Sequence, residues 1–229
     1  MNISLSGDGK LQMPIIGLGT WRAQDEVQQA VLTALDNGYR HIDTAFVYNN
    51  EEAIGNAINS WLKTEGRKRE DLFITTKLPN VANRPEDVEK FLRMSLERLQ
   101  LEYVDLFLIH CPFAFECNAN YTPVIEENGN FVLASNNNLA IWEAMEEQVK
   151  KGLCKSIGLS NFNMTQVQEI YDAANIKPAV LQIELHAYLQ QQDLVKFCRD
   201  LNIAVTAYSP LGSPGVNAHF ASKYNYRQL

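Results

Sequence analysis

Short apolar runs rich in β-branched and aromatic residues alternate with longer segments of helical period along most of the chain. Seven such runs stand out, at 15–18, 40–44, 73–76, 104–109, 155–160, 180–184 and 203–208. Nothing else in the sequence narrows the fold as much. A helix between two strands lets the second strand lie parallel to the first while the helix covers one face of the sheet. The run 104–109, Val-Asp-Leu-Phe-Leu-Ile, is nearly continuous in apolar side chains, as a strand covered on both faces should be. Two architectures satisfy the pattern. One is an open doubly wound sheet. The other is a closed barrel of eight strand–helix units, which typically spans roughly 250 residues. With 229 residues, no linker and no low-complexity tract, the chain reads as a single α/β domain over 1–229.

Helical stripes fill the gaps between the runs. Val27, Ala30, Val31, Ala34 and Leu35 follow the i, i+3, i+4, i+7, i+8 spacing, and Asn37-Gly38 supplies a stop that tolerates left-handed backbone. Residues 51–64 carry Ala53, Ile54, Ala57, Ile58, Trp61 and Leu62 on one side. Pro85-Glu86-Asp87 opens another helix with proline and acids in its first turn. Leu139, Trp142 and Met145, then Val167 and Ile170, then Leu194, Phe197 and Cys198 mark three more. The asparagine-rich stretch 111–137 reads as a long irregular loop, a feature that in a compact domain is functional or disordered. Ahead of the first run, Ile3-Ser4-Leu5 and Leu11-Gln12-Met13 flank Gly7-Asp8-Gly9, a hairpin signal that would cap one end of the sheet.

Composition excludes several classes. The formal net charge of −7 argues against a general nucleic-acid role. The four cysteines, Cys111, Cys117, Cys154 and Cys198, form no CxxC pair and no zinc-spaced cluster, so no metal site is expected and a reduced, cytoplasmic setting is. The N-terminus has no basic start followed by an apolar core, so no signal peptide is expected. No apolar run is long enough to span a bilayer.

Asp43, Tyr48, Lys77 and His110 each fall at, or just past, the C-terminal end of a strand candidate. Barrel enzymes assemble their active sites at that face. A tyrosine, with a reference pKa of about 10, is a weak acid at neutral pH unless its surroundings tune it. A nearby ammonium would favour the phenolate and lower that value, an aspartate would hold the ammonium, and a histidine could orient a carbonyl oxygen. Singly, each has an ordinary reading: Asp43 as a cap, Tyr48 as packing, Lys77 as a solvated charge, His110 as the end of an apolar strand. Their shared face is what points to chemistry.

The resemblance then becomes specific. Gly17-Leu18-Gly19-Thr20-Trp21, Gly38-Tyr39-Arg40-His41-Ile42-Asp43-Thr44-Ala45, Thr76-Lys77-Leu78, Asp105-Leu106-Phe107-Leu108-Ile109-His110, Gly158-Leu159-Ser160-Asn161-Phe162, Gln182-Ile183-Glu184 and Tyr208-Ser209-Pro210-Leu211-Gly212 occur in order. Together they resemble the motifs of the aldo-keto reductases. The resemblance implies a (β/α)8 TIM-type barrel and reduction of a small-molecule aldehyde or ketone by NADPH, with NADH not excluded. Tyr48 would be the general acid, tuned by Lys77 and Asp43, and His110 would orient the carbonyl. Ser160, Asn161 and Gln182 would hold the nicotinamide carboxamide, and Tyr208 would stack on the ring. Asp43, Thr20 and Trp21 would lie against the cofactor or the pocket mouth. Ser209, Leu211 and Ser213 would approach the pyrophosphate. Gly17-Leu18-Gly19 is no dinucleotide fingerprint, because Arg22 stands where the third glycine belongs.

Two departures shape the expectation. The family often has tryptophan after the histidine; Cys111 here would widen the pocket it lines, and His110-Cys111-Pro112-Phe113-Ala114-Phe115 resembles the insect ecdysteroid-oxo reductases. The family also continues into an eighth strand, a substrate loop and a Lys-Ser segment with a downstream arginine that grips the adenosine phosphate, and these have no counterpart before Leu229. The expectation is therefore an incomplete barrel of about seven strands that is poorly stable or self-associating, binds NADPH weakly and discriminates little against NADH. The alternative is a truncated, non-catalytic isoform, or a cofactor-binding or structural member of the family.

Overall fold

A computed structural model describes residues 1–5 and 11–212. Two short strands, β1 (Asn2–Ser4) and β2 (Gln12–Pro14), pair antiparallel with Ile3 opposite Met13. The Gly7-Asp8-Gly9 turn expected between them lies outside the described residues. There follow β3 (Leu18–Gly19), α1 (Val27–Asp36), β4 (His41–Asp43), α2 (Glu51–Leu62), β5 (Phe73–Leu78), α3 (Pro85–Leu99) and β6 (Val104–Ile109). The chain then makes an excursion in which β7 (Ala114–Phe115) pairs antiparallel with β8 (Leu133–Ala134). It returns through α4 (Asn138–Lys150), β9 (Cys154–Ser160), α5 (Met164–Ala173), β10 (Val180–Glu184), α6 (Gln192–Asp200) and β11 (Ala204–Tyr208).

Strands β3, β4, β5, β6, β9, β10 and β11 form one parallel sheet, and their spatial order is their chain order. A doubly wound sheet would reverse direction part-way across; this one does not. The sheet also curls. Strands β4 and β10 are four places apart, about 19 Å on a flat sheet with the usual spacing. Yet the Gln182 amide on β10 meets the Asp43 carboxylate on β4 at 2.7 Å. The architecture is a seven-stranded parallel sheet nearly closed into a barrel.

Every residue of β5 and β6 is buried, because the barrel interior covers one face and helices cover the other. The outer layer packs Val31 and Leu35 of α1, Ile54, Ile58 and Trp61 of α2, and Phe91, Leu92 and Leu99 of α3 into one cluster. The hairpin closes the N-terminal end. Leu5 and Met13 are buried with Phe73, Leu106, Leu108 and Val180.

Local signals explain the helix ends. Gly38, at φ +91°, follows α1 in the left-handed region where a side chain would be strained. Pro85 sits in the first turn of α3 with Glu86 and Asp87 behind it. Asn163 caps α5 in a reciprocal pair with Gln166. Gly55 serves packing: a Cβ there would lie 2.6 Å from the Leu99 carbonyl oxygen, so its absence lets α2 approach the end of α3.

Three expectations need correction. The run 15–18 is not a strand along its length; β3 holds only Leu18 and Gly19, and Ile15 and Ile16 are exposed. Lys77 does not follow its strand but lies within it, because β5 continues to Leu78. The stretch 111–137 is not irregular throughout. Beyond the β7–β8 pair, bridges join Cys117 to Pro123 and Ile125 to Phe131. Tyr121 anchors the excursion, its ring edge-on to Phe91 at 4.7 Å and its hydroxyl bonded to Asp87 and Lys90 on α3.

Candidate active site

At the C-terminal end of β5, Lys77 is 1% exposed. An ammonium that deep must be fully partnered. Its Nζ donates to Asp43 Oδ1 at 2.5 Å, to the Thr44 carbonyl at 2.9 Å and to Tyr48 Oη at 3.4 Å. Asp43 ends β4, and Tyr48 closes a short 3-10 turn, Phe46–Tyr48, that follows it. The Tyr48 ring meets the His110 imidazole edge-on, 5.8 Å between centroids. The structure thus brings Asp43, Tyr48, Lys77 and His110 to one place.

Charge and burial set their protonation. Burial pushes the Lys77 ammonium downward, but Asp43 and then Tyr48 outweigh it, and the net shift is upward. His110 is lowered to about 4, first by burial and then by the Lys77 charge, so the imidazole is neutral at pH 7. Tyr48 departs from expectation. Lys77 does pull its hydroxyl down, but burial pushes it up by more, and the phenol is protonated at neutral pH.

A second cluster adjoins the first. Asn161, in left-handed backbone at φ 65°, follows Ser160 at the end of β9. Its Nδ2 donates to Ser160 Oγ at 3.1 Å, to the His110 carbonyl at 2.9 Å and to Cys111 Sγ at 3.6 Å. Its Oδ1 accepts from the Tyr208 hydroxyl at 2.8 Å. Gln182 spends its amide N–H on Asp43, and its Oε1 accepts no hydrogen bond from the described residues. Burial, with Glu184 nearby, pushes the Tyr208 hydroxyl up to about 12, and burial likewise raises the Cys111 thiol. A hydroxyl, two amides and an aromatic ring at one strand-end cluster have the donor, acceptor and stacking chemistry that a nicotinamide carboxamide requires.

The remaining candidates divide. Thr20 is buried behind Asp43, its Oγ1 donating to the Asp43 carbonyl at 3.0 Å. Ser209 follows Tyr208 directly, at φ 48°. Trp21 and Leu211 are surface side chains, 49% and 88% exposed, and the Arg22 guanidinium lies over the Trp21 ring at 4.8 Å. Ser213 falls outside the described residues. Sequence reasoning missed Asn50. Its Nδ2 donates to the Thr20 carbonyl at 2.8 Å and its Oδ1 accepts from Thr44 Oγ1 at 3.1 Å, tying together the segments on either side of Asp43. An asparagine just ahead of a helix reads as a cap, and nothing in the spacing says otherwise. Among the described residues no cluster of His, Cys, Asp and Glu could hold a metal ion, and no helix is long and apolar enough to cross a membrane.

Residues 15–228 match the aldo/keto reductase family. The chain belongs to that family. Its relatives include aldo-keto reductase family 1 member A1 from Gallus gallus, 47% identical over 205 residues, and the Homo sapiens protein of the same name, 47% identical over 204. These alignments cover 89% and 88% of this chain, which spans 62% of the length of each relative. An aldose reductase structure from Schistosoma japonicum superposes with a TM-score of 0.88 at 41% identity, over 98% of this chain and 75% of the other. One from Giardia lamblia gives 0.85 at 45% identity, over 87% and 66%. This aldo/keto reductase chain thus shares the barrel of those enzymes.

Proposed function

We propose that the site reduces aldehydes and ketones to alcohols with NADPH, with Tyr48 as proton donor. The observation that carries the reading is the contact of a buried, carboxylate-paired Lys77 with the hydroxyl of Tyr48, beside a neutral His110. A bound reduced nicotinamide would supply the hydride to the carbonyl carbon. Tyr48 Oη gives its proton to the carbonyl oxygen, and the O–H bond that breaks leaves a phenolate. Lys77, whose Nζ lies 3.4 Å from Tyr48 Oη, stabilises that anion as it forms. Burial keeps the phenol protonated beforehand, so the acid starts in the right state. Neutral His110 can donate one N–H to the same oxygen without competing as an acid. Ser160, Asn161 and Gln182 suit the carboxamide, and Tyr208 suits the ring face.

The test is turnover of a panel of aldehydes and ketones by the purified chain, followed by NADPH consumption, with Tyr48→Phe alongside. The variant should lose about 10²–10⁴-fold in rate, the usual worth of a positioned acid, and keep its affinity for NADPH measured by fluorescence titration. A variant at half the wild-type rate would remove Tyr48 from the proposal. NADPH binding with no turnover of any carbonyl would favour a binding role.

A further inference from the structure

Four successive carbonyls lead away from the end of β6, at His110, Cys111, Pro112 and Phe113, and each accepts from an asparagine amide. Asn161 donates to His110 O at 2.9 Å. Asn83 donates to Cys111 O and to Phe113 O, both at 2.9 Å, and Asn80 adds a bond to Phe113 O at 2.8 Å. Asn136 and Asn138 converge on Pro112 O at 3.2 and 3.1 Å, and Asn136 also donates to Asn138 Oδ1 at 2.8 Å. The amides come from three places: the connection between β5 and α3, the residue after β9, and the start of α4.

Asn83 is the most committed of them. It is 1% exposed, and its Oδ1 is buried with no hydrogen-bond partner among the described residues. Its orientation is nonetheless unambiguous, because rotating the amide would press Oδ1 against two carbonyl oxygens. The residue therefore leaves one buried acceptor unsatisfied so that both N–H groups can hold the backbone of 111–113. His110 shows why that backbone matters. No hydrogen bond from a described residue holds its ring, and its Nδ1 is buried and unpartnered. The ring touches Tyr48 edge-on, and where it stands is set by the chain that carries it.

We infer that Asn83, together with Asn80, Asn136 and Asn138, positions His110: the asparagines fix the path of 110–113 and thereby the distance of the imidazole from Tyr48. They are positioning residues; none of them touches the reacting atoms. The kinetic consequence rests on the carbonyl-reductase reading, whereas the geometric one does not.

The experiment uses the whole chain, labelled with ¹³C and ¹⁵N for NMR, and compares wild type with Asn83→Ala and with Asn136→Ala/Asn138→Ala. Loss of the amides should move the His110 ring resonances and weaken the cross-peaks between the His110 and Tyr48 rings. With an active chain, kcat should fall about tenfold or more while the NADPH dissociation constant changes less than about twofold, since misplacing a group by about 1 Å can cost 10²-fold. A merely structural role would lower stability and leave the ring signals and the kcat of the folded fraction alone. If Asn83→Ala does not fold, the double variant decides, because Asn136 and Asn138 are only part-buried. Wild-type ring signals and cross-peaks in a folded variant whose Pro112 or Cys111 carbonyl shift has moved would overturn the inference. A wild-type chain that reduces no carbonyl would overturn the functional reading, and the ring signals would still decide this one.

Discussion

Gln182 Nε2 donates to Asp43 Oδ2 at 2.7 Å, although 139 residues separate the two along the chain. Lys77 occupies the other oxygen of the same carboxylate. Asp43 therefore serves two neighbours at once. It neutralises the ammonium that faces Tyr48, and it ties β4 to β10 across the barrel mouth. Any change to one partner is felt by the other.

That coupling makes a stability prediction. Lys77→Met should destabilise the chain by about 3–5 kcal/mol, because it leaves a largely buried carboxylate without its cation. Adding Asp43→Asn should restore most of the loss, since the amide oxygen can still accept from Gln182. Urea denaturation of Lys77→Met, Asp43→Asn and the double variant measures this. A double variant as unstable as the sum of the two single ones would show that the pair is not coupled.

A second prediction concerns acid. His110 in the folded chain titrates near 4, whereas an unfolded histidine takes up its proton near 6.5. Below about pH 6.5 the unfolded state binds a proton that the folded state refuses, so stability falls as pH drops toward about 4. Buried His41, also lowered, pushes the same way. Between about pH 7.5 and about pH 5, wild type should lose on the order of 2 kcal/mol more than His110→Gln does. Urea midpoints at the two pH values give the comparison, and equal losses would place the acid sensitivity elsewhere.

Cys111 follows His110 directly and lies beside the Asn161 amide; on the proposed carbonyl-reductase reading it would line the substrate pocket. Cys111→Trp should therefore lower kcat/KM for bulky ketones about tenfold or more relative to small aldehydes, on the scale of a few methylenes lost from a pocket. Equal changes for both substrate classes would show that residue 111 lies outside the pocket.

Gly55→Ala sets two effects against each other. Alanine is the better helix former by about 1 kcal/mol. Its Cβ, however, would stand 2.6 Å from Leu99 O and 2.7 Å from Arg98 O, and backbone cannot swing aside as a side chain can. Overpacking at about 1–3 kcal/mol should win, lowering the thermal midpoint. A more stable variant would show that the end of α3 yields easily.

The alternation, the helix stripes and the gathering of Asp43, Tyr48, Lys77 and His110 toward one end of the sheet were legible because they follow from period and from burial on both faces. β10 was read to its ends, and β6 likewise, since each is flanked by clear breaks. Ile15 and Ile16 misled, because an apolar run signals a strand only where another strand is present to pair with it. Lys77 misled in the opposite sense. A charge looks like the end of a strand, and it takes Asp43, 34 residues away, with the Thr44 carbonyl and Tyr48, to make its burial possible. The excursion was hidden because its pairing depends on tertiary anchors such as Tyr121 against Phe91. The direction of the Tyr48 shift was out of reach for the same reason, since spacing reports neighbours in sequence but not depth. Asn136 was read only as part of the asparagine-rich stretch 111–137, and Asn80, Asn83 and Asn138 gave no signal, because an amide aimed at a distant carbonyl leaves no periodic trace.

The excursion between β6 and α4 leaves and re-enters at adjacent points, with Ala114 opposite Ala134. Between those two residues the segment is held by this closed neck and by Tyr121 against α3. Lengthening such a segment costs only about 0.6 kcal/mol per doubling, and the barrel strands need not move to accommodate it. The excursion can therefore lengthen or shorten among descendants of this gene while Asp43, Tyr48, Lys77 and His110, carried on other segments, stay as they are, so that insertion there and the geometry of those four residues are inherited separately.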